Sequence, residues 1–234
     1  LTDQPVPKSI VQSTRSYREN LLADPYRPAF HFCMPEDVGS PGDPNGAFFH
    51  NGRYHLMYLD YQTGAGLSWG HVSSRDLVHW RHHPDALVPS DGDEGVFSGG
   101  AFIDDDGTAT LSYWMLWGAK GIGLAHSTDA NFNTWNKVDA NPVIESTEWG
   151  ITEIEDTSGK LIRYGSADPS NIWKKDGKYY MLTGNLLVLR KYGSRGKGLP
   201  ANRDEPQLPT DSVNYQGDWL DLFVSEDLEN WNYL

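Results

Sequence analysis

Short runs of the chain alternate apolar and polar residues with a period of two, the pattern of half-buried strands, and Gly- and Asp-containing turns separate them. Three such runs follow a tight-turn dipeptide: "NGRYHLMY" from Asn51, "DGTATLSY" from Asp106 and "DGKYYMLT" from Asp176. Asn-Gly and Asp-Gly tolerate the positive backbone angles of a two-residue hairpin, so each marks a hairpin tip. Counting back eight residues from each tip reaches Asp43, Ser98 and Asp168, where "DPNGAFFHNG", "SGGAFIDDDG" and "DPSNIWKKDG" align.

A second repeat lies downstream of each tip. "SSRDLVHW", "STDANFNTW" and "SEDLENW" share Ser-x-Asp followed by Trp, with serines at Ser74, Ser127 and Ser225. Each unit therefore predicts a first strand ("GAFFH", "GAFID", "SNIWK"), a second ("YHLMYLD", "ATLSYWM", "YYMLTGN") and a third ("LSWGHVSS", "GIGLAHS", "LDLFVSE"). "DALVPS" and "NPVIES" supply a fourth strand to the first two units, and the third unit is expected to end at Leu234 before its own.

Four strands in ~50 residues is the signature of a propeller blade. The expected fold class is all-β, a propeller of which this chain supplies about the first three blades. Blade 1 is expected at about 43–90, blade 2 at 98–146 and blade 3 at 168–234, with a polar loop insertion at 190–218 and an N-terminal extension at 1–26. A sandwich with similar hairpins is the competing architecture; the matched spacings favour the propeller. Three blades would leave open sheet edges, so the remaining blades are expected on a second polypeptide or a removed segment.

Composition narrows the partners. With 19 Lys plus Arg against 32 Asp plus Glu the net charge is −13, which disfavours nucleic acid and anionic membranes and leaves a neutral partner. No apolar run approaches the ~20 residues of a membrane span, and the N-terminus carries no basic region followed by an apolar core. Cys33 is the only cysteine, so neither an intrachain disulfide nor a thiolate metal cluster is expected.

The candidate chemistry comes from the repeat. Asp43 by itself reads as the first residue of a type I turn, Asp-Pro-Asn-Gly. Its equivalence to Ser98 and Asp168 changes that, because equivalent blade-opening residues converge at one mouth of the central channel. Two carboxylates facing a neutral polar substrate suit glycoside cleavage, one stabilising or attacking an oxocarbenium-like centre. Trp69, Trp114 and Trp117 are expected either as platforms for sugar faces or as blade packing.

These residues resemble the glycoside hydrolase family of invertases, inulinases, levanases and fructosyltransferases. "RPAFHFCMPEDVGSPGDPNG" (27–46) is similar to the family's Arg-Pro-x-(Phe/Tyr)-His-Phe segment running into Trp-Met-Asn-Asp-Pro-Asn-Gly. "WGHVSSRDLVHW" (69–80) matches Trp-Gly-His-x-x-Ser-x-Asp-Leu-x-His-Trp, while Phe97-Ser98-Gly99 and Ala167-Asp168-Pro169 resemble its Phe-Ser-Gly and Arg-Asp-Pro. The resemblance implies a five-bladed propeller followed by a β-sandwich, a retaining mechanism on sucrose or fructans, and no metal or organic cofactor. Asp43 would be the nucleophile and Asp168 the transition-state stabiliser, with Asn45, Trp69, Phe97 and Ser98 binding the fructosyl unit. A secreted, extracellular protein is expected, because fructans are met outside cells.

Departures from the family pattern fall at Ser40 and Gly42, in place of Trp and Asn, at Leu59 in place of Gln, and at Ala167 in place of Arg. The family's acid/base Glu belongs to a Glu-Cys-Pro segment absent here, so it is expected outside this chain, with Glu153, Glu155 and Glu226 read as solvated surface. Two further classes stay open: a non-catalytic sugar-binding propeller, and an inverting arabinan- or xylan-type five-bladed hydrolase. Carboxylate separation divides retaining from inverting enzymes, ~5–5.5 Å against ~6.5–9.5 Å. Hydrolysis against transfructosylation is not decided by any motif.

Overall fold

The computed structural model describes residues 19, 23–26, 40–62, 66–155, 158–186 and 219–234. Most of the N-terminal extension, the motif upstream of Ser40, Cys33 and the whole 190–218 insertion lie outside the described residues. What is described is built from strands: three antiparallel sheets and one separate hairpin.

The first sheet runs in chain order through β1 (Ser40–His50), β2 (Arg53–Gln62), β3 (Gly66–Ser74) and β4 (Trp80–His82). The second contains β5 (Val96–Ile103), β6 (Ala109–Met115), β7 (Gly121–Ser127) and β8 (Asn136–Lys137), with β9 (Ile144–Glu145) also paired to β7. A hairpin of β10 (Ile151–Glu155) and β11 (Leu161–Gly165) precedes the third sheet. That sheet is β12 (Trp173–Lys175), β13 (Lys178–Asn185), β14 (Trp219–Ser225) and β15 (Trp231–Tyr233).

Two of the three hairpin tips behave as the dipeptides predict; at the third only Gly107 takes a positive φ, 88°, and Gly107 N donates to Asp104 O at 2.9 Å in a longer turn. Asn51 and Gly52 take φ of 48° and 74°, and Asp176 and Gly177 take 51° and 76°, the left-handed pair of a type I′ turn.

The Ser-x-Asp repeat has a local cause. Ser74 Oγ accepts the backbone N–H groups of Asp76 and Leu77, and Asp76 Oδ1 accepts those of Val78 and His79. Ser225 and Asp227 repeat that arrangement with Asp227, Leu228, Glu229 and Asn230. The two side chains satisfy four consecutive amides and hold Leu77 and Leu228 at φ of 62° and 68°, turning the chain from third strand to fourth. The Trp that ends the motif then locks it, as Trp231 Nε1 donates to Leu228 O at 2.9 Å and Trp135 Nε1 to Phe132 O at 2.9 Å.

The fourth strands depart from expectation. They begin directly after the turn, at β4, β8 and β15, and each pairs only the far end of its third strand. "DALVPS" and "NPVIES" form second pieces alongside the same third strands: Ala86 and Leu87 bond to Trp69, and β9 pairs Gly121 and Ile122. The third sheet also has its fourth strand, Trp231–Tyr233, which corrects the expectation that the chain stops before it. The turn geometry delivers the chain straight into pairing, so the edge strand starts at the Trp.

Blades pack face to face through two apolar layers. Met57, Leu59, Trp69, Val96, Leu111 and Tyr113 belong to the layer between the first two sheets, and Trp114, Ile122, Leu124, Ile172, Met181 and Phe223 to the layer between the second and third. Alternate residues of β6 divide between them, Leu111, Tyr113 and Met115 to one and Trp114 to the other. Both faces of β6 are covered, which is why "ATLSYWM" is buried throughout, Thr110 and Ser112 included.

Candidate functional site

The first strands of the three sheets lie side by side, held in register by two asparagines. Asn45 Oδ1 accepts from Gly99 N at 3.1 Å, and Asn171 Oδ1 accepts from Ala101 N at 2.8 Å, so both neighbouring blades grip β5. The approach of the third blade requires glycine on that strand, since a Cβ on Gly100 would overlap Asn171 N, while Gly99 is needed within the sheet, where a Cβ would overlap Ser112 O of β6.

This register brings Asp43 and Ser98 into contact, with Ser98 Oγ donating to Asp43 Oδ2 at 3.0 Å across 55 residues of sequence. Asn45 Nδ2 donates to the Asp43 carbonyl at 3.1 Å, fixing the turn that presents the carboxylate. Asp168 follows the short bridge between Ala167 and Gly184 and adopts φ of 33°. Part of Asp168 is open to solvent, but protein crowds its carboxyl; that burial, and secondarily the charge of Asp43, push its pKa up to about 6. The influence of Asp43 places the two carboxylates in one electrostatic environment.

The remaining sequence-derived residues divide. Phe97 is half-buried beside Ser98, and Trp114 packs edge-on against it with centroids 5.5 Å apart. Trp69 is 0% exposed, so it offers no platform at this surface; its indole N–H donates to Phe97 O at 3.0 Å and fixes the backbone next to Ser98. Asn45 is likewise buried and positions Asp43 and β5. Trp114 is buried, whereas Trp117 and Trp149 are exposed. Sequence reasoning missed Asn171 and Trp149; the Asn of "DPSN" was a signal for the first, one place later than in "DPN".

The departures from the motif have structural consequences. Leu59 is buried in the core, and a Cβ on Gly42 would lie 3.0 Å from its Cβ, so the apolar side chain and the missing one match. Ala167 is fully buried between Gly150 and Gly184, with no route for its side chain into the site. Glu153 pairs with Arg163 at 2.8 Å and Glu226 with Lys178 at 2.9 Å. Glu226 follows the end of β14 paired to Tyr179, the hairpin-tip end of the sheet and the opposite one from Asp168.

Two other polar clusters lie between blades 1 and 2. In a cleft of about 500 Å³, Lys137 Nζ bonds to Val88 O, Ser90 O and both Asp93 oxygens, which saturates the ammonium and makes it an interblade clamp. His55, His71 and His83 place ring nitrogens within 4.8 Å of one another. A metal bound to two imidazoles lies in both ring planes, but the His71 and His83 rings stack at 4.2 Å and 19°, so their lone pairs run alongside rather than converge. His83 instead links blades, Nε2 to Ser73 Oγ at 2.7 Å and Nδ1 to Asn133 Oδ1 at 2.8 Å.

Comparison with known proteins places this geometry. Residues 33–193 match the Glycosyl hydrolases family 32 N-terminal domain. The chain is 28% identical to the fructan 6-exohydrolase of Beta vulgaris over 221 residues, 89% of this chain and 30% of that protein. It is 31% identical to the sucrose-6-phosphate hydrolase of Klebsiella pneumoniae over 185 residues, 75% of this chain and 36% of that one. The crystal structure of fructan 1-exohydrolase IIa from Cichorium intybus superposes with a TM-score of 0.62 at 26% identity, covering 90% of this chain and 34% of that one. The chain thus spans about a third of the length of these relatives. Their fold is a five-bladed β-propeller, and the three sheets here are blades of it. The chain belongs to glycosyl hydrolase family 32.

Proposed function

We propose that the protein carrying this chain is a retaining glycosidase that cleaves β-fructofuranosidic bonds of sucrose or fructans. The observation that carries this reading is the pairing of Asp43 with Ser98 beside a second carboxylate, Asp168. Asp43 is exposed at the mouth of the blades, positioned by Asn45 and Ser98, and so is available to attack. An Asp43 oxygen attacks the anomeric carbon of the fructosyl unit, the bond to the leaving oxygen breaks, and that oxygen takes a proton from an acid supplied outside the described residues. Asp168, in its ionised form, accepts hydrogen bonds from sugar hydroxyls as positive charge develops on the ring.

Water then resolves the ester to free fructose, or a sugar hydroxyl resolves it by transfer; the ratio of fructose to transfer product separates hydrolase from fructosyltransferase. The acidic surface supports a neutral rather than a nucleic-acid partner, with the rest of the propeller and a β-sandwich completing the protein. A polymeric substrate met outside cells supports an extracellular location.

Asp43→Asn in the whole protein tests the reading. Fructose release from sucrose should fall by roughly 10³-fold or more, with substrate still bound. Activity within a few-fold of the unaltered protein overturns the nucleophile assignment.

A further inference from the structure

Trp149 is 59% exposed on a turn whose next residues, Gly150 and Ile151, are buried. It sits in a tight turn in which Glu148 N donates to Ile151 O at 3.0 Å and Gly150 takes φ of +67°. That turn is pinned to the segment leading to Asp168: Ser166 N donates to Gly150 O at 3.0 Å, and a Cβ on Gly150 would meet Ala167 Cβ at 3.1 Å.

A second line of contacts reaches the other carboxylate. The Trp149 ring packs on Trp114 at 5.2 Å and 45°, Trp114 packs edge-on against Phe97 at 5.5 Å, and Phe97 precedes the Ser98 that bonds Asp43. Trp149 is thus anchored to both halves of the site. Its indole N–H also differs from those of Trp69, Trp135 and Trp231, which donate to carbonyls; among the described residues it has no acceptor.

We infer that Trp149 is the platform for a second sugar ring, beyond the fructosyl unit held at Asp43 and Asp168, and that it makes the site prefer neutral oligosaccharides. The apolar C–H face of a sugar covers the indole, while a hydroxyl accepts from the free N–H. Neutral sugars fit because the nearest ionisable residue in sequence is Glu148 and the chain carries a net charge of −13, both unfavourable to a phosphorylated ring. This inference rests on the fructosidase reading.

The test uses the whole protein with Trp149→Ala, Trp149→Phe and, as a control at the opposite hairpin end, Phe49→Ala. Substrates are 1-kestose, a trisaccharide, and methyl β-D-fructofuranoside, which has no second ring. Trp149→Ala should lower the ratio of kcat/KM for 1-kestose over the methyl fructoside by about tenfold, through KM, with Trp149→Phe restoring most of it. Phe49→Ala should leave the ratio unchanged. An unchanged ratio in Trp149→Ala, or a fall on both substrates equally, overturns the platform. If the unaltered protein releases fructose from neither substrate, the fructosidase reading fails instead, and calorimetric titration with 1-kestose decides the platform. Binding weakened by Trp149→Ala supports it, and binding unaffected by the substitution or absent from the unaltered protein overturns it.

Discussion

Asp168 is held at a cost to the fold. Its folded pKa of about 6 lies above the ordinary carboxylate value, so the folded state takes up the proton first as pH falls. The folded chain is therefore relatively less stable above pH 6, where Asp168 is charged, and recovers stability as the pH drops toward the unfolded value of about 4. Asp168→Asn should raise the thermal midpoint by a few degrees at pH 7.5, a gain that shrinks as the pH falls through 6. A midpoint independent of this substitution at pH 7.5 would contradict the strained ionised form. Asp43→Asn removes the second cause, and should move Asp168 back toward its ordinary range in a carboxyl carbon titration by NMR. The desolvation that comes first among the causes should leave it partly raised.

Among the secondary elements, the Ser-x-Asp turn explains why the repeat exists. Ser74 is buried and satisfies the amides of Asp76 and Leu77, so Ser74→Ala leaves them without that acceptor. The loss should be about 1–2 kcal/mol, read from denaturant midpoints, and Ser225→Ala should behave alike because its hydrogen bonds are the same. The hairpins and third strands were legible because the dipeptide tips and the Ser-x-Asp…Trp repeat mark their ends locally. The split fourth strand was not, since two- and three-residue edge pieces have too few residues to show a period. The β10–β11 hairpin has no such signal, because its tip lacks Asn-Gly or Asp-Gly and carries Ser158-Gly159 instead. At the site, the equivalence of Asp43, Ser98 and Asp168 was legible from spacing, but the burial of Trp69 was not. Both faces of β3 are covered, so alternation along "LSWGHVSS" cannot say which side reaches the channel.

For the molecule as a whole, the junction of blades 1 and 2 is where acidity should act. His55 and His71 are buried there and His83 is half-buried, and all three are held below their ordinary range, His55 at about 4, with desolvation the first cause in each. Arg53, Arg81 and His50 around them oppose a further positive charge, while the Asn133 side chain and then Asp129 favour it on His83 and the Phe132 backbone favours it on His71. The unfolded chain protonates these rings below about 6.5, ahead of the folded one, so stability present above that pH is lost as it falls toward 4. This window lies above ordinary carboxylate titration and Asp168 pulls the other way, so a net loss comes from histidines, the cluster together with His126 on β7, which burial also holds low. The thermal midpoint should drop by about 5 °C or more between pH 7.5 and 5, and less in His55→Gln. A flat profile would mean the cluster is charged or open in the folded protein.

All of these scales meet at Asp43, which the turn presents, the asparagines register and the blades bring beside Asp168. Rapid acid quench of the whole protein during turnover of sucrose, followed by digestion and mass spectrometry, reads its role directly. A hexosyl adduct on the peptide containing Asp43, absent from Asp43→Asn, is the expected result. An adduct on another carboxylate, or product released with inverted anomeric configuration and no adduct at all, would contradict it.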